Sequence, residues 1–114
     1  MPLPAGMREK VERRLERYCQ GRVPEGVRDQ IRLGYRIRGN HVTLIEERPS
    51  FLGSGDWTQL VVAQLRFRPA DSKWSLYWAD RNSRWHEYND LDPSADIDHL
   101  LREIDRDPTG IFWG

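Results

Sequence analysis

Between Ile31 and Arg38 the chain alternates without a break. Ile31, Leu33, Tyr35 and Ile37 point one way; Arg32, Gly34, Arg36 and Arg38 point the other. A period of two is the signature of a strand with one buried and one solvated face. Gly39-Asn40 follows, a two-residue hairpin turn, and His41 to Arg48 forms the return strand. That turn sets the register: Ile37 opposite Val42, Tyr35 opposite Leu44, Arg36 opposite Thr43 and Arg32 opposite Glu47. Apolar side chains meet on one face, and one pair of opposite charges meets on the other.

The rest of the chain extends this hairpin. Pro49 ends the second strand, and Ser50 to Asp56 is the longest irregular stretch, with apolar Phe51 and Leu52 expected at the surface. Trp57 to Arg68 reads as a third strand; Leu60 to Ala63 is apolar on both faces, which predicts a central position. Pro69-Ala70-Asp71-Ser72 is a turn, and Lys73 to Ala79 a fourth strand with Trp74, Leu76 and Trp78 on one face. The turn opposes Phe67 to Trp74 and Leu65 to Leu76. Asp80 to Ser83 turns again into a short fifth strand, Arg84 to Tyr88.

Helices flank the strands. Met7, Val11, Leu15 and Tyr18, with Cys19 beside them, recur at helical spacing, predicting a helix over about 5–20 with Pro4 near its start and Gly21 as its stop. Val23-Pro24-Glu25-Gly26 is a connector. Asp92 reads as an N-cap with Pro93 in the first turn; Ile97, Leu100, Leu101 and Ile104 form the buried stripe, and Pro108 ends the helix. The expectation is an α+β fold, α-β-β-β-β-β-α: a single domain over 1–114, with a five-stranded antiparallel meander and both helices on one face.

Formal net charge is zero, from 18 basic and 18 acidic residues, so no global field drives the chain onto nucleic acid or an anionic membrane. The charge is uneven, however. Residues 1–85 carry an excess of six positive charges, and residues 86–114 an excess of six negative ones. An acidic C-terminal helix beside a basic sheet accounts for this, as does a basic patch left open to an anionic partner. Sixteen of the basic residues are Arg; a GC-rich coding bias or recognition of phosphate or carboxylate would each produce that. Cys19 is the only cysteine, which suits a reducing cytoplasm. No run approaches the ~18 apolar residues that span a membrane, and the N-terminus lacks the apolar core of a signal peptide.

Sites of chemistry are sparse. His41, His86 and His99 are not spaced as metal ligands. The acidic run Asp90, Asp92, Asp96 and Asp98 lacks the Gly and Glu of a calcium loop and suits a helix N-terminus. Ser54, in Gly53-Ser54-Gly55, lacks the nucleophile-elbow pattern. Neither a metal nor a cofactor is expected. Asp80 and His86, with Glu47, are the candidate acid–base residues of an enzyme. The densest cluster runs from Trp74 to Tyr88, five aromatics and two Arg in fifteen residues. Large aromatics fill the core of a small sheet; aromatics interleaved with Arg also bind single-stranded nucleic acid, rings stacking on bases while Arg meets phosphate. Arg66, Tyr77, Trp78, Arg81, Arg84 and Trp85 are the candidate binding residues. The terminal Gly110-Ile111-Phe112-Trp113-Gly114 either docks on its own domain or serves as a docking peptide.

Three segments carry a resemblance. The stretch from Trp74 to His86, the ending from Leu101 to Gly114, and the strand Val42 to Pro49 resemble a family of short bacterial proteins known as domain of unknown function 3024. The resemblance covers nearly the whole chain and implies a bacterial source. It implies no activity or catalytic residue. Members often carry Gly where this chain has Ser83, a turn position where a positive φ suits Gly better than Ser. The expected function is a non-enzymatic binding or adaptor domain, its ligand single-stranded nucleic acid or protein. A small acid–base enzyme and a homodimerising structural protein are the alternatives, and the chain is expected as a monomer or homodimer away from membranes.

Overall fold

Helix α1 (Ala5–Arg22) is followed by a 3-10 turn at Glu25–Val27 and five strands: β1 (Arg32–Arg38), β2 (His41–Pro49), β3 (Trp57–Arg68), β4 (Lys73–Ala79) and β5 (Trp85–Glu87). Helix α2 (Ile97–Arg106) closes the order. The computed structural model describes residues 3–27, 29–50 and 55–113; Phe51, Leu52 and Ser54, singled out above, lie outside the described residues. The strands form one antiparallel sheet in sequence order, with β3 in the middle.

The hairpin register is the one that the alternation requires. Ile37 opposes Val42, Tyr35 opposes Leu44, Arg36 opposes Thr43 and Arg32 opposes Glu47. Gly39 takes φ 58° in the turn, a left-handed conformation open to Gly without steric cost. Phe67 opposes Trp74 and Leu65 opposes Leu76, with the two rings 5.2 Å apart. Val42, Leu44, Leu65 and Leu76 are fully buried and belong to one core with Val11 and Leu15 of α1 and Leu100, Leu101 and Ile104 of α2. Both helices therefore cover the same sheet face. They also join each other: Arg14 pairs with Asp98, and the Tyr18 hydroxyl donates to Asp105 at 2.8 Å. Burial, and then the Asp105 carboxylate, push the Tyr18 phenol well above the ordinary tyrosine range.

Three local expectations need correction. Helix α1 does not stop at Gly21 but runs on to Arg22, whose side chain reaches Asp105 at 3.7 Å and covers the Trp113 ring at 4.5 Å; tertiary contacts hold the last turn. Helix α2 does not begin at Asp92-Pro93. Ser94 instead exchanges two backbone hydrogen bonds with Trp74, at 2.7 and 3.0 Å, so this stretch extends the sheet beside β4. The helix starts one turn later, where the Asp96 side chain caps the Asp98 amide. Strand β5 is shorter than Arg84 to Tyr88, although Asp80–Arg84 and Tyr88–Leu76 backbone bonds flank it. The central position expected of the strand carrying Leu60 to Ala63 holds, although two of these four side chains reach solvent. Val62 and Ala63 are buried, but Leu60 and Val61 are 56% and 41% exposed. The register of β2 and β3 shifts between Leu44 and Ile45, and β4 pairs only with the second half of β3.

The C-terminal segment docks on its own domain. Asp107 takes φ 39° just past α2. Its carboxylate accepts the Phe112 and Trp113 amides at 3.0 and 2.9 Å. The Trp113 indole donates to the Ile104 carbonyl at 2.9 Å, and buried Phe112 packs against Tyr88 with ring centres 5.2 Å apart.

Candidate nucleic-acid interface

With Leu33, Tyr35 and Ile37 packed against the core, the pleat turns Arg32, Arg36 and Arg38 to the sheet face that no helix covers. The register extends this assignment across the strands. One row runs Arg38, His41, Arg66, Ser75; the next runs Arg36, Thr43, Gln64, Tyr77, Glu87. Arg68 and Lys73 form a third pair on this face. The strands thus present Arg32, Arg36, Arg38, Arg66, Arg68 and Lys73 there, against Glu47 and Glu87.

A hydrogen-bonded chain crosses the middle of the face. Gln64 Nε2 donates to Thr43 Oγ1 at 3.0 Å, and Arg66 Nε donates to Gln64 Oε1 at 2.6 Å. The Arg66 guanidinium then lies 3.8 Å above the Tyr77 ring, held by cation–π attraction. A second Arg–aromatic pair stands nearer the other end, Arg32 at 3.8 Å over Trp57. Arg36 and Arg38 are exposed, with no ion-pair partner among the described residues. Beside Arg66, Ser75 is 3% exposed and its Oγ has no hydrogen-bond partner among the described residues. Partial burial, and then the Arg66 charge, lower the pKa of His41, so its imidazole resists protonation on this cationic surface.

Of the six binding residues expected from sequence, Arg66 and Tyr77 touch, and Trp85 shares their face on β5, opposite Ala79. Trp78 is on the other face, stacked on His86 with ring centres 4.6 Å apart. Arg81 and Arg84 are exposed in the β4–β5 turn. Tyr77, Trp78, Trp85 and Trp113 are all half-buried, and Phe112 is buried.

The three acid–base candidates divide. His86 Nε2 lies 2.7 Å from Asp80 Oδ2. The other Asp80 oxygen accepts the Asn82 and Arg84 amides at 2.8 and 3.0 Å. The His86 hydrogen bond first, and the Arg84 amide second, lower the Asp80 carboxyl to about 2. Asp80 thereby organises the turn in which Ser83 takes φ 62°. Glu47 does not join this pair: it is on β2, separated from β5 by β3 and β4, and on the opposite face, where Gln59 opposes it. Among the described residues no group of three or more His, Cys, Asp or Glu side chains is placed to hold a metal ion. No described helix is long and apolar enough to cross a membrane.

The binding residues expected from sequence lie mostly on β4, β5 and the turn between them, whereas the structure adds Arg32, Arg36, Arg38, Trp57 and Gln64 to the site. The alternation had placed the three Arg opposite the apolar face; adding the hairpin register would have aligned them with Arg66 and Tyr77. A second feature had no sequence signal. A cleft of about 270 Å³ lies between the end of α1, the first part of β1 and Trp113. Glu46, only 8% exposed, lines it and accepts Arg48 Nε at 2.6 Å.

No curated protein and no solved structure matches the chain. A family model does, across residues 3–114, under the description Domain of unknown function (DUF3024). Covering essentially the whole domain, sheet, helices and docked C-terminal segment together, that match makes this chain a member of the DUF3024 family.

Proposed function

We propose that the domain is a non-enzymatic binding module whose uncovered sheet face takes single-stranded nucleic acid. The observation that carries this reading is the concentration of six cations on a face free of both helices, with Arg66 stacked on Tyr77 in its middle. A single strand offers phosphates and unstacked bases together. The exposed Arg36 and Arg38 meet the phosphates, and Tyr77, Trp57 and Trp85 offer ring surface to bases. The Thr43–Gln64–Arg66 chain holds the central Arg in place, which reduces the side-chain entropy lost on binding. A cytoplasmic, bacterial setting accords with this role: Cys19 is buried, and burial pushes its thiol up to about 11.

Fluorescence anisotropy with labelled single-stranded DNA and RNA over a salt series tests the reading. Binding should strengthen as salt falls, each lost phosphate contact reducing the log–log slope by ~0.7. Arg36→Ala and Arg38→Ala should each remove about one contact. Tyr77→Ala should cost about 1–3 kcal/mol with the salt slope unchanged, the signature of a lost stacking contact. Absence of binding at low salt refutes the proposal.

A further inference from the structure

His41 stands between two arginines. It opposes Arg38 of β1 on one side and Arg66 of β3 on the other, and residues directly opposite in a sheet share a face. Its imidazole therefore belongs to the cationic face. Arg36 and Arg68 are its diagonal neighbours there, two residues along β1 and β3 from Arg38 and Arg66, and the amino terminus adds a further positive charge. His86 and His99 each have a carboxylate partner, Asp80 and Asp96; no carboxylate acts on His41 among the described residues. Partial burial, then the Arg66 charge, then the amino terminus favour the neutral ring. The ring is half-buried, so a ligand lying on the face can touch it. A phosphate bound between Arg38 and Arg66 reverses this environment: it cancels the repulsion and attracts the protonated ring. The imidazolium then has two N–H donors where the neutral ring has one, and its bond to a phosphate oxygen is charge-assisted.

We propose that His41 is a proton-dependent phosphate contact: single-stranded nucleic acid bound on this face takes up a proton from solvent at the imidazole, and binding tightens as pH falls. The inference rests on the reading of the face as a nucleic-acid surface and names how that surface is regulated. Linkage fixes the sign. The bound state holds the proton more firmly than the free state, so affinity rises as pH falls through the bound-state pKa and levels off below the free-state value. The free-state value is below 6.5, and the rise falls in the window of about pH 5 to 8 in which imidazoles titrate. A phosphodiester stays ionised throughout it. The other two imidazoles are elsewhere: His86 stacks on Trp78 on the opposite face, and His99 is on α2. The carboxylates of the cationic face, Glu47 and Glu87, stand in other rows, opposite Arg32 and Tyr77.

Fluorescence anisotropy of the full chain with labelled oligothymidylate reads the linkage, because thymine does not titrate in this range. At low salt the affinity should rise roughly three- to tenfold from about pH 7.5 to about pH 5.5, and the salt slope should steepen by ~0.7, the share of one added phosphate contact. His41→Gln should hold the weaker affinity at both pH values, and His41→Arg the tighter affinity at both; a packing role alone would not leave the two variants flat at opposite levels. Calorimetry near pH 6 in buffers of different ionisation enthalpy should show proton uptake on binding, lost in both variants. Far-UV circular dichroism checks that each protein is folded at the lower pH. Equal affinity at the two pH values, or a rise undiminished in His41→Gln, would overturn the inference and leave the nucleic-acid reading in place. No binding at either pH, even at low salt, would overturn both.

Discussion

Replacing Asp107 should uncouple the C-terminal segment from the domain. The side chain has two tasks. Its backbone takes a left-handed conformation that ends α2, and its carboxylate accepts the Phe112 and Trp113 amides. A hydrogen bond to a charged acceptor contributes about 1.5–3 kcal/mol; for a half-buried carboxylate the lower end applies, so the pair is worth about 2–3 kcal/mol. In Asp107→Ala the left-handed conformation adds about 1 kcal/mol of backbone cost, for a total near 3–4 kcal/mol. Undocking limits the loss, since Phe112 contributes about 1.5–3 kcal/mol of burial that can be forfeited only once. Against a typical domain stability of about 5–15 kcal/mol this is a large fraction. Asp107→Gly separates the two tasks: it relieves the backbone while removing the carboxylate, and should still lose about 1–2 kcal/mol. Urea unfolding followed by far-UV circular dichroism gives the free energies, and hydrogen exchange at the Phe112 and Trp113 amides locates the change. Asp107→Gly at or above the stability of the parent would refute the reasoning, because the carboxylate would then contribute less than the strain it accompanies.

Ser83→Gly should stabilise the domain by about 1 kcal/mol, since Ser83 sits at φ 62°, a conformation costly to residues with a Cβ; thermal unfolding measures it, and a lowered Tm would count against the turn geometry. The depressed pKa of His41 gives stability that is intact above the unfolded value near 6.5 and declines as pH falls below it, because the unfolded chain takes up the proton more readily. An NMR titration with His41 at or above that value would contradict this. Asp80 acts in the same direction at lower pH: its contribution is present above the unfolded value near 3.8 and is lost as pH falls toward about 2. His86→Ala should raise the Asp80 carboxyl toward the unfolded value, as carboxyl chemical shifts would report.

Much of the sheet was legible in the chain because its causes are local. Alternation fixes which side chains share a face, and a two-residue turn fixes the register, so Ile31–Arg38 alone was enough to pair Tyr35 with Leu44 and Arg32 with Glu47. The Trp57–Arg68 and Lys73–Ala79 boundaries followed from the same period. The helix ends were less legible. Asp92-Pro93 is a sound local helix start, but the Ser94–Trp74 backbone bonds hold that stretch extended, and the helix waits for Asp96. Gly21 is a sound local stop, but Arg22 is held by Asp105 and Trp113.

The candidate site divides along the same line. The sequence by itself determined that one face of the first hairpin would be rich in Arg, that Tyr77 and Trp78 would point to opposite faces, and that Arg66 would lie near the middle of the sheet. Only the tertiary structure decided that six cations line up on the face away from the helices, and that Arg66 stacks on Tyr77 while Trp78 stacks on His86. It also decided that Glu47 stands apart from Asp80 and His86, and that β4 stops short of Leu60 and Val61. The pleat is a property of neighbouring residues, written in every second position. Which face a helix covers, and where a partner strand runs out, depends on contacts between segments far apart in the chain, and no local period records them.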